Sequence, residues 1–210
     1  IKIYRLGYYL GNGARLITTL GPFLGVTQPA PVTNTASGLI DCGNWAASAS
    51  WAVPATAVSG VYIARLIRAD NGGASHIVFI VRDDAANAHI LFKTSDATWQ
   101  AYNAYGGNSL YLGSTPGFPN GHATKVSYNR PFITRSGGGG GGAAEDWLFN
   151  AEYPMIRWLE RNGYYLSYTT DVDMDRSATP ITPAKNKVIL SVGHDEYWSL
   201  AERNKVEAAR

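Results

Sequence analysis

The sequence predicts a mixed fold: an antiparallel β-sandwich over residues 1–88, followed by an incomplete three-layer α/β domain over residues 89–210. Three observations carry this. The first half is a series of short alternating apolar runs separated by turn signals, the grammar of a sandwich. After residue 145, helical and strand patterns alternate, the rhythm of an open parallel sheet with crossover helices. Between the two, "DDAANA" is a small polar connector near residue 85, where the pattern changes.

In order along the chain, "IKIYRLGYYL" alternates as a strand and runs into "GNGARLITTL", a Gly-Asn-Gly turn feeding a second strand. Residues 21–44 form a Pro-, Thr- and Gly-rich loop. "WAASASWAV" sets Trp45, Ala47, Ala49 and Trp51 on one face of a predicted strand, with Ser48 and Ser50 on the other. "SGVYIARLIRA" and "SHIVFIVRDD" flank "DNGG", a strong hairpin signal. "HILFKTS" is an apolar strand that opens the second domain. Residues 99–145 read as a long loop that holds a Tyr-rich part and a Gly-rich part at 136–144, where a run of glycines with no side chain to pack predicts flexibility. In "DWLFNAEYPMIRWLERNG", Leu148, Met155, Ile156 and Leu159 make one helical stripe, Pro154 marks the first turn, and Gly163 stands at the C-terminal cap. "YYLSYTT" is a short strand, "DVDMDRSATPITPAKN" a loop, "KVILSVG" a buried strand, and "SLAERNKVEAA" a helix capped by Ser199. The chain begins inside a strand pattern and stops inside a helical one, so it reads as a fragment.

Composition narrows the function classes. The 210 residues carry 18 Lys and Arg against 16 Asp and Glu, a net charge of +2, with no basic stripe for nucleic acid. No apolar run approaches the roughly 18 residues of a membrane span. A single cysteine, Cys42, excludes an internal disulfide but leaves the compartment open, cytoplasmic or exported in a bacterium. With 13 Tyr, 6 Trp and 6 Phe, the chain is rich in aromatic residues with polar handles, suited to ligand surfaces as well as cores.

The chemistry concentrates at two strand exits. Ligands of open α/β sheets bind beyond the carboxyl ends of the strands, where loops converge. "KVILSVGHDEYWS" places His194, Asp195 and Glu196 at such an end, and an extended segment turns His194 and Glu196 one way and Asp195 the other, into the structure. An imidazole beside a carboxylate suits an acid/base pair, or a metal ligand with its supporting neighbour. The plainer alternative is a polar turn in which Asp195 and Ser199 cap the following helix. The other exit leads to Tyr102, Asn103 and Tyr105, and Tyr128 follows in "VSYNRP". Phenols become ligands only for a strongly Lewis-acidic cation, and a set of phenolates with a carboxylate favours ferric iron over zinc. The chain has no H-E-x-x-H, G-x-S-x-G or P-loop, and His76, His89 and His122 lack evident partners.

The ordered series "TWQAYNAYGGNSLY", "KVSYNRPF", "EDWLFNAEYPMIRWLERNGY", "SYTTDVDMDR" and "VGHDEYWS" resembles the large subunit of N,N-dimethylformamidase and its relatives. The resemblance covers residues 89–210 and extends more weakly to "YRLGYY" and "SGVYIARL". It implies an amidohydrolase acting on a small amide through a mononuclear Fe(III) held by two tyrosines and a glutamate. Carried over by motif, Glu196 is the carboxylate ligand, His194 its catalytic neighbour, Tyr102 the first phenolate with Tyr105 as substitute, and Tyr128 the second. The α/β domain is then flavodoxin- or glutamine-amidotransferase-like, and the protein an oligomer that includes a small accessory subunit. A reading of another class is a non-catalytic exported or surface module, binding carbohydrate or protein or mediating assembly, that has lost the metal.

Overall fold

The structure, a computed structural model of the chain, describes residues 1–133, 147–176 and 185–210. The Gly-rich stretch predicted to be flexible, and residues 177–184 of the predicted loop "DVDMDRSATPITPAKN", lie outside the described residues.

Alternation builds the first half. β1 (Lys2–Leu6) turns through the Gly-Asn-Gly segment into β2 (Ala14–Thr19), and β5 (Gly60–Ile67) turns through "DNGG" into β6 (Ala74–Val81). β1 also pairs with β5, giving an antiparallel sheet of order β2-β1-β5-β6. A separate hairpin, β3 (Val32–Asn34) with β4 (Leu39–Asp41), lies in the Pro-rich loop. Because side chains alternate across a strand, the large sheet is apolar on both faces. Leu6, Val61, Ile63, Val78 and Ile80 point to one core, and Ile3, Tyr62, Phe79 and Val81 to another.

The second core is covered by an irregular segment. Residues 45–53, predicted as a strand, form none; Trp51 packs on Tyr62 and Phe79 at ring distances of 6.2 and 5.9 Å. The Ala/Ser alternation offers too little apolar surface to fix a strand. Side chains hold the segment instead, with the Gln28 amide bonding the backbone N–H and C=O of Ala46 and the Trp45 indole donating to Pro29 O.

The first core is shared with the second half. β7 (Ile90–Lys93) is the centre of a parallel sheet of order β8-β7-β9, with β8 at Leu166–Thr169 and β9 at Val188–Ser191. α1 (Asp96–Tyr102) follows β7 directly, in a stretch partly predicted as loop. Its buried face carries Asp96, Thr98 and Gln100 beside Trp99, so no apolar periodicity announces a helix. α2 (Glu152–Arg161) buries Ile156 and Leu159, which meet Leu148, Trp147, Phe92, Leu6 and Val61 in one cluster; Met155, predicted on the same stripe, is 37% exposed. The helix ends at Gly163 with φ +75°, where Tyr164 N–H donates to Leu159 O and Gly163 N–H to Glu160 O. Arg5 of β1 and Glu160 of α2 form a part-buried ion pair at 2.7 Å that ties the halves together. α3 (Asp171–Arg176) replaces the first part of the predicted loop after β8, its first turn capped by the Thr170 hydroxyl accepting from Asp173 N–H. α4 (Leu200–Ala208) is capped by Ser199, whose Oγ accepts from Glu202 N–H. Among the described residues no helix is long and apolar enough to cross a membrane.

Candidate metal centre

The exits of β7 and β9, adjacent strands of the parallel sheet, bring the two halves of the site together. After β9 the chain must turn sharply over the start of α2. Gly193 makes that turn at φ +81°, and a Cβ there would stand 2.5 Å from Ala151 Cβ, so glycine is required for both conformation and space. The chain then extends, and alternation sends His194 and Glu196 to one side and Asp195 to the other. The amides of Glu196 and Tyr197 donate to Thr98 Oγ1 of α1 at 2.9 and 3.3 Å. One buried hydroxyl on the first strand's exit thereby fixes the second.

Asp195 faces inward onto Lys93, the last residue of β7, whose side chain is completely buried. Lys93 Nζ lies 2.7 Å from Asp195 Oδ2 and 3.0 Å from Glu202 Oε1, and it also pairs with Asp171. Its ammonium sits 5.1 Å from the Trp198 ring. Burial pulls the ammonium down, but Asp171 and Asp195 outweigh it and hold Lys93 above its ordinary range. Burial, and then the neighbouring Asp96, push Asp171 up against the pull of Lys93. One cation thus gathers the ends of β7 and β8, the loop after β9, and α4.

On the outer side, three side chains converge on one oxygen. Tyr102 Oη donates to Glu196 Oε2 at 3.0 Å, Tyr111 Oη donates to the same atom at 2.7 Å, and His194 Nε2 lies 3.2 Å from it. The rings of Tyr102 and Tyr111 stack with centroids 4.2 Å apart, and His194 lies 5.4 Å from Tyr102. Tyr197 Oη donates to Tyr111 Oη at 2.7 Å. Burial first, then the bond to Glu196, hold the Tyr111 phenol well above its usual range, so its proton stays in place while only a carboxylate faces it. The side chains of His194 and Glu196 remain 36% and 41% exposed, open to a small molecule.

Sequence reasoning brought Tyr102, His194 and Glu196 together, and the structure places them in contact. It did not single out Tyr111. That residue follows a Gly-Gly reversal, and a tight turn returns it to α1: Leu110 N–H donates to Ala101 O, and Ser109 Oγ accepts from the amides of Tyr111 and Leu112. The glycine pair beside "AYNAY" was the available signal. The two other tyrosines lie elsewhere. Tyr128 donates to Asp96 Oδ2 at 2.9 Å, and Tyr105 packs edge-on against Trp45.

Among the described residues, no three His, Cys, Asp or Glu side chains are grouped to hold a metal. Any cation at Glu196 therefore depends on the phenols. The donor set fits a hard trivalent ion: two phenolic oxygens already converge on one carboxylate oxygen, and the protons between them are what such a cation displaces.

Residues 1–210 match the family described as N,N-dimethylformamidase beta subunit-like, C-terminal. The chain belongs to that family. The match spans the antiparallel sheet as well as the parallel one, so the resemblance carried mainly by residues 89–210 extends over the whole sequence. A search of curated proteins gave no match.

Proposed function

We propose that the protein hydrolyses the C–N bond of a small amide at the Tyr102–Tyr111–Glu196 cluster, with a mononuclear Fe(III) held by those three side chains. The observation that carries this is the convergence of two phenol oxygens on Glu196 Oε2, in a member of a family named for N,N-dimethylformamidase. The ferric ion, when bound, supplies Lewis acidity to polarise the amide carbonyl and acidify water. The protein's own residues do the rest. The Tyr197 hydroxyl donates to the Tyr111 oxygen and holds that phenol in place beside Glu196. Thr98 fixes the backbone of Glu196, and Lys93 anchors the adjacent Asp195, so the carboxylate is positioned before anything binds. His194, beside Glu196 and open to solvent, accepts the proton that water loses and returns it to the departing nitrogen.

Tyr111 takes the place that the motif comparison gave to Tyr128, because it reaches Glu196 while Tyr128 is bound to Asp96. The same family membership supports reading the antiparallel sheet as part of a β-sandwich over 1–88 and the parallel sheet as part of a flavodoxin-like layer over 89–210. The description as a beta subunit supports an assembly with a small accessory subunit.

The test is metal analysis with a visible spectrum and an assay for amine release from N,N-dimethylformamide. Iron near one equivalent, with a phenolate-to-iron charge-transfer band, is expected. Tyr102→Phe and Tyr111→Phe each weaken or shift that band and lower hydrolysis by about 100-fold or more, a loss of roughly 3 kcal/mol, whereas Tyr128→Phe leaves the band in place. Iron-free protein that fails to develop the band on adding ferric ion overturns the reading.

A further inference from the structure

The segment that carries His194 and Glu196 is hinged at Gly193. That residue, at φ +81°, stands just before the segment, and glycine restrains its own dihedrals least of all residues. Downstream of the hinge, Thr98 and Lys93 hold Glu196 and Asp195. Upstream, the last carbonyl before the hinge, that of Val192, accepts from Ser95 Oγ at 3.0 Å.

Ser95 gives up a local role to make that bond. It is the N-cap residue of α1, a position where a serine hydroxyl ordinarily accepts from an amide of the first turn. Here it makes no capping hydrogen bond. Its hydroxyl reaches instead to the exit of β9, 97 residues further along the chain. Ser95 is completely buried, so water does not compete for the contact. Its backbone is fixed from the other side. Ser95 N–H donates to Glu152 Oε1 at 3.3 Å, and the Trp99 indole donates to the same oxygen at 2.8 Å.

Glu152 closes the arrangement beneath the turn. It is the first residue of α2 and is fully buried, and its Cδ lies 3.8 Å from where a Cβ on Gly193 would stand. Its Oε2 has no hydrogen-bond partner, and burial pushes the carboxyl up to about 7. A buried carboxyl so incompletely bonded is a cost to the fold. It stands where α1, α2 and the Gly193 turn meet, and it holds the one residue that pins the upstream side of the hinge.

We infer that Ser95 and Glu152 are a pair of positioning residues for the candidate metal centre: Glu152 fixes Ser95, and Ser95 fixes the carbonyl at which the His194–Glu196 segment is hinged. They act through the backbone of residues 192–194 and not by contact with the ion. The inference rests on the reading of Tyr102, Tyr111 and Glu196 as iron ligands.

The test is titration of the metal-free whole chain with ferric nitrilotriacetate, followed by the charge-transfer band. It is joined to proton NMR of the four histidine imidazoles, with that of His194 identified by its loss in His194→Gln. No band in the unsubstituted protein overturns the iron reading, and the His194 resonance then tests the pair by itself. Ser95→Ala keeps the amide that donates to Glu152 and removes only the hydroxyl. It is expected to raise the half-saturating ferric concentration about tenfold and to shift the His194 resonance of the metal-free chain. Glu152→Asp keeps the charge but withdraws the acceptor by one methylene, and it has the same effects. Glu152→Gln keeps the acceptor without the charge and stays within about twofold of the unsubstituted protein. Because the two residues act in series, the double variant Ser95→Ala/Glu152→Asp is no weaker than the worse single one. Val61→Ala, a truncation in the shared core, controls for lost stability and leaves both signals in place. Either signal unchanged in Ser95→Ala, an equal change in Val61→Ala, a loss in Glu152→Gln but not in Glu152→Asp, or single losses that multiply in the double variant would each overturn the inference.

Discussion

At the scale of the residue, the most consequential side chains here are polar groups buried where the strands end. Glu152 is the clearest. It is fully buried at the start of α2, its Oε1 accepts from the Trp99 indole at 2.8 Å and from the Ser95 amide at 3.3 Å, and its Oε2 has no partner. Burial raises its pKa from 4.5 to about 7, against those hydrogen bonds. Below about pH 4.5 the carboxyl is protonated in folded and unfolded chains alike, and its full contribution to stability is present. As pH rises towards 7 the unfolded chain ionises first while the fold retains the proton, so stability falls, by at most about 3 kcal/mol, and levels off above that. Glu152→Gln keeps the acceptor for Trp99 and removes the titration. Urea midpoints measured from pH 4 to 8 should therefore fall less steeply in the variant than in the unsubstituted chain; parallel curves would refute the assignment. Nothing in the sequence distinguished this Glu from Glu160 on the same helix, because its burial is made by Trp99 and Ser95, more than 50 residues away.

At the scale of the element, local patterns were read well where the chain signals itself. The two hairpins of the large sheet, the Gly163 cap and the Ser199 cap all carry their own turn or cap chemistry. α1 and α3 were missed because their polar residues are used in tertiary contacts. The strand predicted from "WAASASWAV" failed because alternation without apolar bulk does not specify a pleated surface. The elements around the candidate centre are tied by Lys93, and this has a testable consequence. Lys93→Met matches the length of the side chain but leaves Asp171, Asp195 and Glu202 facing one another without a cation. Removing one partner of a buried pair costs about 3–5 kcal/mol, to be read as a lower urea midpoint. If the loop after β9 is held as described, the variant also weakens the phenolate-to-iron band expected of the proposed centre at pH 7, although Lys93 touches none of Tyr102, Tyr111 and Glu196.

At the scale of the whole molecule, the halves that the sequence separates share one core. Val61 and Leu6 of the antiparallel sheet lie in the same buried cluster as Phe92 of β7 and Ile156 of α2. Val61→Ala removes buried volume in the first half and should cost about 2 kcal/mol. With a continuous core, the loss should appear equally in the hydrogen-exchange protection of β7 amides and of β1 amides. Protection of β7 that stays unchanged would show the two halves to unfold separately.

By itself the sequence determined the strand-rich first half, the alternating second half, the family, and three members of the candidate centre: Tyr102, His194 and Glu196. Each rests on the order of residues along the chain, as a period, a cap, or a series of motifs. The tertiary structure decided which second tyrosine meets Glu196, why Asp195 turns inward, and where a buried acceptor lacks a donor. Those outcomes depend on parallel strands placing the exits of β7 and β9 side by side, and on one turn returning Tyr111 to the end of α1. Contacts between segments some 90 residues apart are fixed by packing, and no local pattern encodes them.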